Sequence, residues 1–313
     1  MLDSRRVGEL ITVVGSLNTD FVVRVEALPR PGQTVLGSRF TTVPGGKGAN
    51  QACAAGRLGG RVRMVGRVGD DVFGRQLVAS LAEAAVDASG VAVTPGTATG
   101  VALIPVETGG QNQIVVAPGA NARLTPEDVE HALGDAPGAF LLLQLESPPE
   151  TVERAAALGA ASGAVVVLDP APARAIPDAL LSCVACLTPN ESEAAFLLGR
   201  ADGRVALADA GQAARALLAR GPRSVVLKLG ASGAWLEDAS GGRHFPAPEV
   251  EAVDTTAAGD CFNGALAVAL AEGMPLPEAI GFANAAAAIS VTRHGAQASL
   301  PSRAEVETAR RSR

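Results

Sequence analysis

Short apolar runs alternate along this chain with alanine-rich stretches of helical composition, and that alternation constrains the fold more than any other feature. The runs at 10–15, 63–68, 139–145, 164–169, 184–188 and 224–229 are largely apolar and read as buried strands. Strands covered on both faces read this way. Between them, 48–58, 72–85, 126–133, 150–161, 191–198 and 206–219 read as helices. After Trp235 come short strands and turns, then two more helices at 259–272 and 277–291. Strands and helices in turn, with short connections, predict a parallel sheet with helices on both faces. Two segments, 21–42 and 98–116, break the pattern. They are extended and alternating, rich in Val, Thr and Gly, with turn signals at Pro31-Gly32 and Thr108-Gly109-Gly110. They are expected to form a small antiparallel sheet standing off the main domain. Its apolar face must cover either a substrate cleft or a partner subunit.

The 313 residues suffice for one large domain or two small ones, with a full core and no need of disulfides or metal. A net charge of −6 argues against nucleic acid as the main partner. No apolar run approaches the roughly 18 residues a membrane helix needs. Ser4-Arg5-Arg6-Val7 has the look of a twin-arginine export signal, yet Glu9, Asn18 and Asp20 interrupt the apolar region that would follow. The four cysteines, Cys53, Cys183, Cys186 and Cys261, are few for this length and lead us to expect a reducing cytoplasm. Cys183 and Cys186 are spaced C-x-x-C, but they lie in an apolar run without a second pair or nearby His, so they read as packing. Of 26 basic residues only Lys47 and Lys228 are lysines. A chain that uses Arg for ordinary surface charge keeps Lys where a compact ammonium fits and a planar guanidinium does not.

Several familiar nucleotide and catalytic motifs are absent from the sequence. Gly46-Lys47 is followed by Gly48, so the metal-binding hydroxyl of a P-loop is missing, and no G-x-G-x-x-G occurs. His131, His244 and His294 are scattered and support neither a triad nor a metal cluster. Three motifs do carry chemistry. In Asp254-Thr255-Thr256-Ala257-Ala258-Gly259-Asp260, small residues precede a helix, leaving backbone N–H groups to face an anion with the helix dipole behind them. Asp260, in the first turn, suits a base that deprotonates a hydroxyl beside a transferring phosphoryl group; the plain alternative is a helix cap. Pro44-Gly45-Gly46-Lys47-Gly48-Ala49-Asn50-Gln51 lets backbone approach a ligand, with Lys47 and Asn50 as donors for a polyhydroxy compound. Gly15-Ser16-Leu17-Asn18-Thr19-Asp20 follows the first strand, where α/β folds place ligands, and Asn18 with Asp20 can pair with vicinal hydroxyls. An Asx turn is the plain alternative there.

Together these motifs resemble the ribokinase-like family of carbohydrate and purine kinases. The likeness covers essentially the whole chain, from Val13-Val14-Gly15-Ser16-Leu17-Asn18 to Thr292-Arg293-His294-Gly295-Ala296-Gln297. It takes in 45–51, Gln144-Leu145-Glu146-Ser147-Pro148, Pro170-Ala171-Pro172-Ala173, Thr188-Pro189-Asn190-Glu191 and 252–260. Its signatures at 45–56 and 254–260 are specific when they occur in this order. The resemblance implies one domain over 1–313, an α/β three-layer sandwich with a mostly parallel central sheet. A small β-sheet lid would be formed from about 17–43 and 95–118. It implies ATP-dependent phosphorylation of D-ribose at the 5-hydroxyl, with Mg²⁺ and an activating monovalent cation, K⁺, in a cytoplasmic homodimer joined through the lids.

The roles that follow from the resemblance fall on matching positions. Asn18, Asp20, Gly46, Lys47, Gly48, Ala49, Asn50 and Glu146 would hold the sugar, and Asp260 would be the base. Ala257, Ala258 and Gly259 would supply anion-hole amides. Asn190 and Glu193 would place Mg²⁺–phosphate through waters, while Lys228, Leu229, Gly230, Ala231, Ser232, Gly233 and Asn284 would line the nucleotide site. Asp254, Thr256, Ser290, Arg293, Gly295 and Ser299 would hold K⁺, largely through carbonyls. Three positions vary from the family's pattern: Lys228 stands where a small polar residue is frequent, His294 where a basic one is common, and Cys261 where Thr is frequent. A thiol in the first turn of a helix can have a lowered pKa and be oxidised, with packing as its other role. The alternatives are a kinase for deoxyribose, fructose or adenosine, a sugar sensor without catalysis, and an NAD-linked dehydrogenase. The missing glycine fingerprint speaks against the last. Asn18 with Asp20 favours a ligand with adjacent hydroxyls, and nine aromatics without Tyr disfavour stacking on a purine.

Overall fold

The first apolar run becomes β1 (Leu10–Val14), and its residues from Ile11 onward are completely buried. Around it a computed structural model describes residues 8–134, 138–200 and 203–311; Ser4-Arg5-Arg6-Val7 lies outside the described residues. The chain continues through β2 (Asn18–Val25), β3 (Gly37–Gly45), α1 (Lys47–Arg57), β4 (Arg61–Gly69), α2 (Val72–Glu83) and β5 (Val86–Thr94). Next come β6 (Gly100–Glu107), β7 (Val115–Ala117), α3 (Pro126–Leu133), β8 (Phe140–Leu143), α4 (Pro149–Ala161) and β9 (Val165–Leu168). Then follow α5 (Asp178–Ser182), β10 (Cys186–Leu187), α6 (Glu191–Leu197), α7 (Ala210–Leu218) and β11 (Ser224–Lys228). The described chain finishes with β12 (Ala234–Asp238), β13 (Gly241–Phe245), α8 (Ala258–Ala271), α9 (Leu276–Ser290) and α10 (Arg303–Arg311).

Among the described residues the main sheet has nine strands in the order β13-β12-β11-β10-β9-β8-β1-β4-β5. It is parallel from β5 to β11 and antiparallel at β12 and β13. Helices α1, α2, α8, α9 and α10 pack on one face, and α3 to α7 on the other, each face with its own apolar cluster. This is the three-layer α/β sandwich. Helix α8 is buried at every residue from Asp260 to Ala271, because its alanines and Gly264 let neighbouring elements approach closely all round it. Strand β5 had no counterpart in the sequence reading: as a half-exposed edge strand with an irregular register beside Arg63 and Val65, it lacks an apolar run. Helices α5 and α10 were also not anticipated.

A second sheet, in the order β3-β2-β6-β7, forms the lid. Its outer pairs are antiparallel as expected, but the central β2–β6 pair is parallel. The reason is directional. Strands β1 and β5 belong to the parallel part of the main sheet, and the chain runs on from their carboxyl ends into β2 and β6. Strand β3 then returns and delivers the glycine-rich loop to α1. The carboxyl ends of β1, β8, β9 and β11 therefore open beneath the lid, where Gly15, Glu146, Asp169 and Lys228 follow or end those strands.

The start of α1 packs against the end of β1 backbone to backbone. A Cβ on Gly48 would lie 2.7 Å from both the Gly15 carbonyl carbon and the Ser16 nitrogen. Gly48→Ala is expected to destabilise the fold by about 1–3 kcal/mol through overpacking. At Gly281, on the exposed side of α9, a Cβ meets nothing within 4 Å. Gly281→Ala is therefore expected to add about 0.5–1 kcal/mol. Denaturant melts of the two variants check both signs.

Candidate active site

Helix α8 begins with an unusual turn. Ala257, its N-cap, is left-handed at φ 58°, a conformation that costs an alanine energy and must be held by its surroundings. The Ala258 amide closes the turn onto the Thr255 carbonyl at 3.2 Å, and the Cys261 amide makes the first helical bond to Ala257 at 2.8 Å. The amides of Ala257, Gly259 and Asp260 have no protein acceptor among the described residues. They, with the dipole of a 14-residue helix behind them, are arranged to suit an anion. Of the amides expected there, that of Ala258 is taken up within the turn.

Asp260 is 6% exposed and lies between this turn and the glycine-rich loop. Its Oδ2 accepts from Asn50 Nδ2 at 3.0 Å and its Oδ1 from Gln51 Nε2 at 3.1 Å. Gly46 has φ 89°, and a Cβ there would sit 2.6 Å from the Asn18 nitrogen, so the loop can pass β2 only as glycine. Glu146 Oε2 accepts from Ser16 Oγ at 2.5 Å and from the Lys47 amide at 3.1 Å, which ties the loop to the end of β8. Asn18 Oδ1 accepts from Asn121 Nδ2 at 2.8 Å, which fixes the orientation of the Asn18 amide. Gly48 and Ala49 stand behind the loop instead of on the cavity wall, their amides bonded to Ser16 Oγ (3.4 Å) and Ser16 O (2.9 Å).

Two cavities meet at Asp260's helix. One, of about 280 Å³, is walled by Lys47, Asp169, Asn190, Glu193, Lys228 and Asp260. The other, of about 360 Å³ and mostly apolar, is lined by Gly230, Ala231, Gly233, Val250 and Asn284 among others. They share Lys228, Gly230, Thr255, Ala258 and Gly259, so the anion site stands at their junction. Leu229 is buried in the core behind that wall, and Ser232 turns its carbonyl to His244 at 2.6 Å; neither lines the cavity. Lys228 Nζ donates to Asp169 Oδ1 at 2.9 Å and lies 3.3 Å from where a Gly259 Cβ would be, beside the free amides.

A third cavity of about 480 Å³ runs from Asp20 and the concave face of the lid to Asp254, Thr256, His294 and Gly295. Asp254 joins these loops: Oδ1 accepts from Thr256 N (2.9 Å) and Oγ1 (2.6 Å), and Oδ2 accepts from Gly295 N (2.9 Å). Arg293 is ion-paired with Glu305 of α10, while the Ser290 and Ser299 hydroxyls donate to Ala287 and Ala296 carbonyls at 2.8 Å each. Asp254 thus ties the two loops together, while the Ser290 and Ser299 hydroxyls bond locally, three residues back. Among the described residues no three His, Cys, Asp or Glu side chains cluster as a metal-ligand group.

Charge in the site is dense. Burial pushes Asp260 up to about 6, with Asp169 adding to the rise and Lys47, Asn50 and Gln51 opposing it. Burial, with Glu146 and Asp260 nearby, lifts Asp20 to about 7. Burial works against the Lys47 ammonium, but Asp260, Glu146, Asp169 and Glu193 outweigh it and hold its pKa above the ordinary value. Burial likewise raises Glu193, whose oxygens accept from Asn190 N (2.7 Å) and Nδ2 (2.9 Å). Cys261 overturns one reading: it is completely buried, and burial pushes the thiol up to about 12, so its first-turn position does not activate it. Cys186 is buried, Cys183 is half-buried, and both are free thiols.

Sequence reasoning missed Asp169, Gln51, Gln144 and Asn121 as members of this network. Asp169 carried a readable signal, because it directly follows a strand at the carboxyl edge of the sheet, the same rule that singled out Asn18 and Asp20. Gln51 and Gln144 lie inside quoted motifs but have no charge to draw attention.

Residues 9–303 match the profile described as pfkB family carbohydrate kinase. A ribokinase from Haemophilus influenzae is 41% identical over 299 residues, covering 94% of this chain and 96% of the relative. A crystal structure of ribokinase from Thermotoga maritima superposes with a TM-score of 0.87 at 40% identity, covering 97% of this chain and 99% of that one. The Arabidopsis thaliana ribokinase complexed with ribose and ATP gives a TM-score of 0.87 at 33% identity, with 97% and 98% covered.

The raised acids burden the folded state. Asp260 and Asp20 bind protons more tightly folded than unfolded, so their contribution to stability falls as pH rises from the ordinary 3.8 through about 6 and about 7. Asp260→Asn is therefore expected to melt above the parent at pH 8, with the gap closing toward about pH 4. Thermal denaturation across that range checks it.

Proposed function

This chain belongs to the pfkB family of carbohydrate kinases, and we propose that it transfers the terminal phosphoryl group of ATP to the 5-hydroxyl of D-ribose, giving D-ribose 5-phosphate and ADP. One observation carries the reading. A buried carboxylate, Asp260, stands at the mouth of a helix N-terminal anion site, where a polar cavity meets an apolar one.

The sugar enters beneath the lid. Asn18 and Asp20 face its ring hydroxyls, with Lys47, Asn50 and Glu146 completing the polar wall, and the 5-hydroxyl points at Asp260. The adenosine moiety occupies the apolar cavity by Gly230, Ala231, Gly233 and Asn284. Its phosphates run to the junction. As the sugar oxygen attacks, Asp260 takes the hydroxyl proton, and the amides of Ala257, Gly259 and Asp260 meet the charge on the transferring group. A loose transition state asks for positioning and charge stabilisation more than for covalent chemistry. Lys228 adds its ammonium from the other side, held by Asp169.

Asn190 and Glu193 suit a hydrated Mg²⁺: both carboxylate oxygens already accept from Asn190, yet they border the acidic cavity with lone pairs to spare. Held there with ATP, Mg²⁺ would offset phosphate charge and help orient the transfer. The loops joined by Asp254, with Thr256, Ser290, Arg293, Gly295 and Ser299, fit K⁺ bound through carbonyls behind the anion turn. A fixed charge there stiffens that turn. Four free thiols agree with a reducing cytoplasm, and no described helix is long and apolar enough to cross a membrane. Asn18 and Asp20 favour ribose over 2-deoxyribose, because a missing hydroxyl would leave buried polar groups unpaired.

ADP release with a panel of pentoses, hexoses and nucleosides, with and without K⁺, tests the activity. Ribose is expected to be the best substrate, and Asp260→Asn to lower turnover by about 10²–10⁴ with sugar binding largely kept. Near-normal turnover in that variant overturns the assignment.

We place the homodimer contact at the lid. Val22, Val43, Ile104 and Val106 line its concave face, and Leu103, Ile114 and Val115 are more than half exposed. Analytical ultracentrifugation is expected to show a dimer, with Ile104→Asp yielding monomers that have a raised ribose KM. A monomeric parent protein at working concentration would refute the contact.

A further inference from the structure

Gln51 is 1% exposed and holds two carboxylates with one amide. Its Nε2 donates to Asp260 Oδ1 at 3.1 Å and to Asp169 Oδ2 at 3.0 Å. The other Asp169 oxygen accepts from Lys228 Nζ at 2.9 Å. Gln51 Oε1 accepts from Gln144 Nε2 at 2.7 Å. Turning the Gln51 amide over would set its oxygen against two carboxylates and its nitrogen against another nitrogen, so Gln144 locks the orientation.

The lock has a visible cost. Gln144 Oε1 is buried without a partner. It lies against Gly15, where a Cβ would come within 2.0 Å of it. The fold leaves one acceptor desolvated and unmatched so that Gln144 can present its N–H₂ to Gln51.

We infer that Gln51 is a positioning residue, aimed by Gln144, that keeps Asp260 ionised beside Asp169 and fixes the plane of the base. An amide N–H can only donate, so it favours the carboxylate over the carboxylic acid at Asp260. Without that donor, the neighbouring Asp169 charge would make Asp260 hold a proton more tightly. The other charged groups facing this pair are Lys47 from α1, Asp20 from β2, Glu193 from α6 and Lys228 from β11. They are unchanged by a substitution at position 51. The inference rests on Asp260 being the base.

The test uses Gln51→Met, which keeps the length and apolar bulk of the side chain and removes the amide. Because Asp20 titrates in the same range, the readout is site-specific: the carboxyl carbon resonance of Asp260 in the nucleotide-free protein, assigned by its loss in Asp260→Asn. Its midpoint is expected to rise by about one pH unit, and the acid limb of kcat to move with it, an approximately tenfold loss on that limb. The alkaline plateau and the ribose KM stay within a few-fold. An unmoved midpoint in folded Gln51→Met overturns the inference. If Gln51→Met does not fold, Gln144→Met, which frees the amide without removing it, decides instead: a smaller shift in the same direction supports the inference, and none overturns it. Full activity in Asp260→Asn would instead sink the base assignment itself, so the two failures are distinguishable.

Discussion

Two half-buried ammonium groups set among five carboxylates govern the rest of this structure. Asp20, Glu146, Asp169, Glu193 and Asp260 gather around Lys47 and Lys228. The cations do not balance the acids, and the remainder must be met by neutral donors. Asn50, Gln51, Asn190 and the amide of Lys47 supply them, each placed by the first turn of a helix. Where donors fall short, burial holds Asp20, Glu193 and Asp260 above the ordinary carboxylate range. A substrate rich in hydroxyls suits the local imbalance, because its O–H donors relieve part of it.

Such a cluster persists only on a rigid floor. The parallel strands end together beneath the lid, and β8, β9 and β11 bring Glu146, Asp169 and Lys228 there. The alanine-rich helices bring the layers close enough for α1, α8 and the end of β1 to touch backbone to backbone. That closeness lets Asn50 and Gln51 of one helix reach the first turn of another. It also holds Ala257 in a conformation that alanine would leave if released. Small residues thus serve two purposes here, close packing and exposure of backbone amides to a ligand.

The layered fold was legible because buried strands and covering helices each impose a period on the sequence. The edge was less legible. Strand β5 faces water on one side and pairs irregularly, so its residues read as neither a buried run nor a clean alternation. The direction of the β2–β6 pair depends on which strands of the other sheet feed it, and local pattern carries no information on that. In the site, residues announced by glycine loops or helix starts, such as Lys47, Asn50 and Asp260, were readable. Gln51 and Gln144 were not, since an uncharged amide acquires its meaning from what it faces after folding. Leu229 and Ser232 show the converse: neighbours in a motif need not share a wall, because successive residues point different ways.

The scarcity of lysine has one more consequence. A lysine-specific protease finds only two bonds to cut in the whole chain, after Lys47 and after Lys228. Both lie in the floor of the active site, one at the start of α1 and one at the end of β11. The folded surface, charged with arginine, offers such an enzyme nothing. Cleavage into the three fragments that these bonds define would therefore proceed only through openings of the site itself, and its rate would measure how often that floor comes apart.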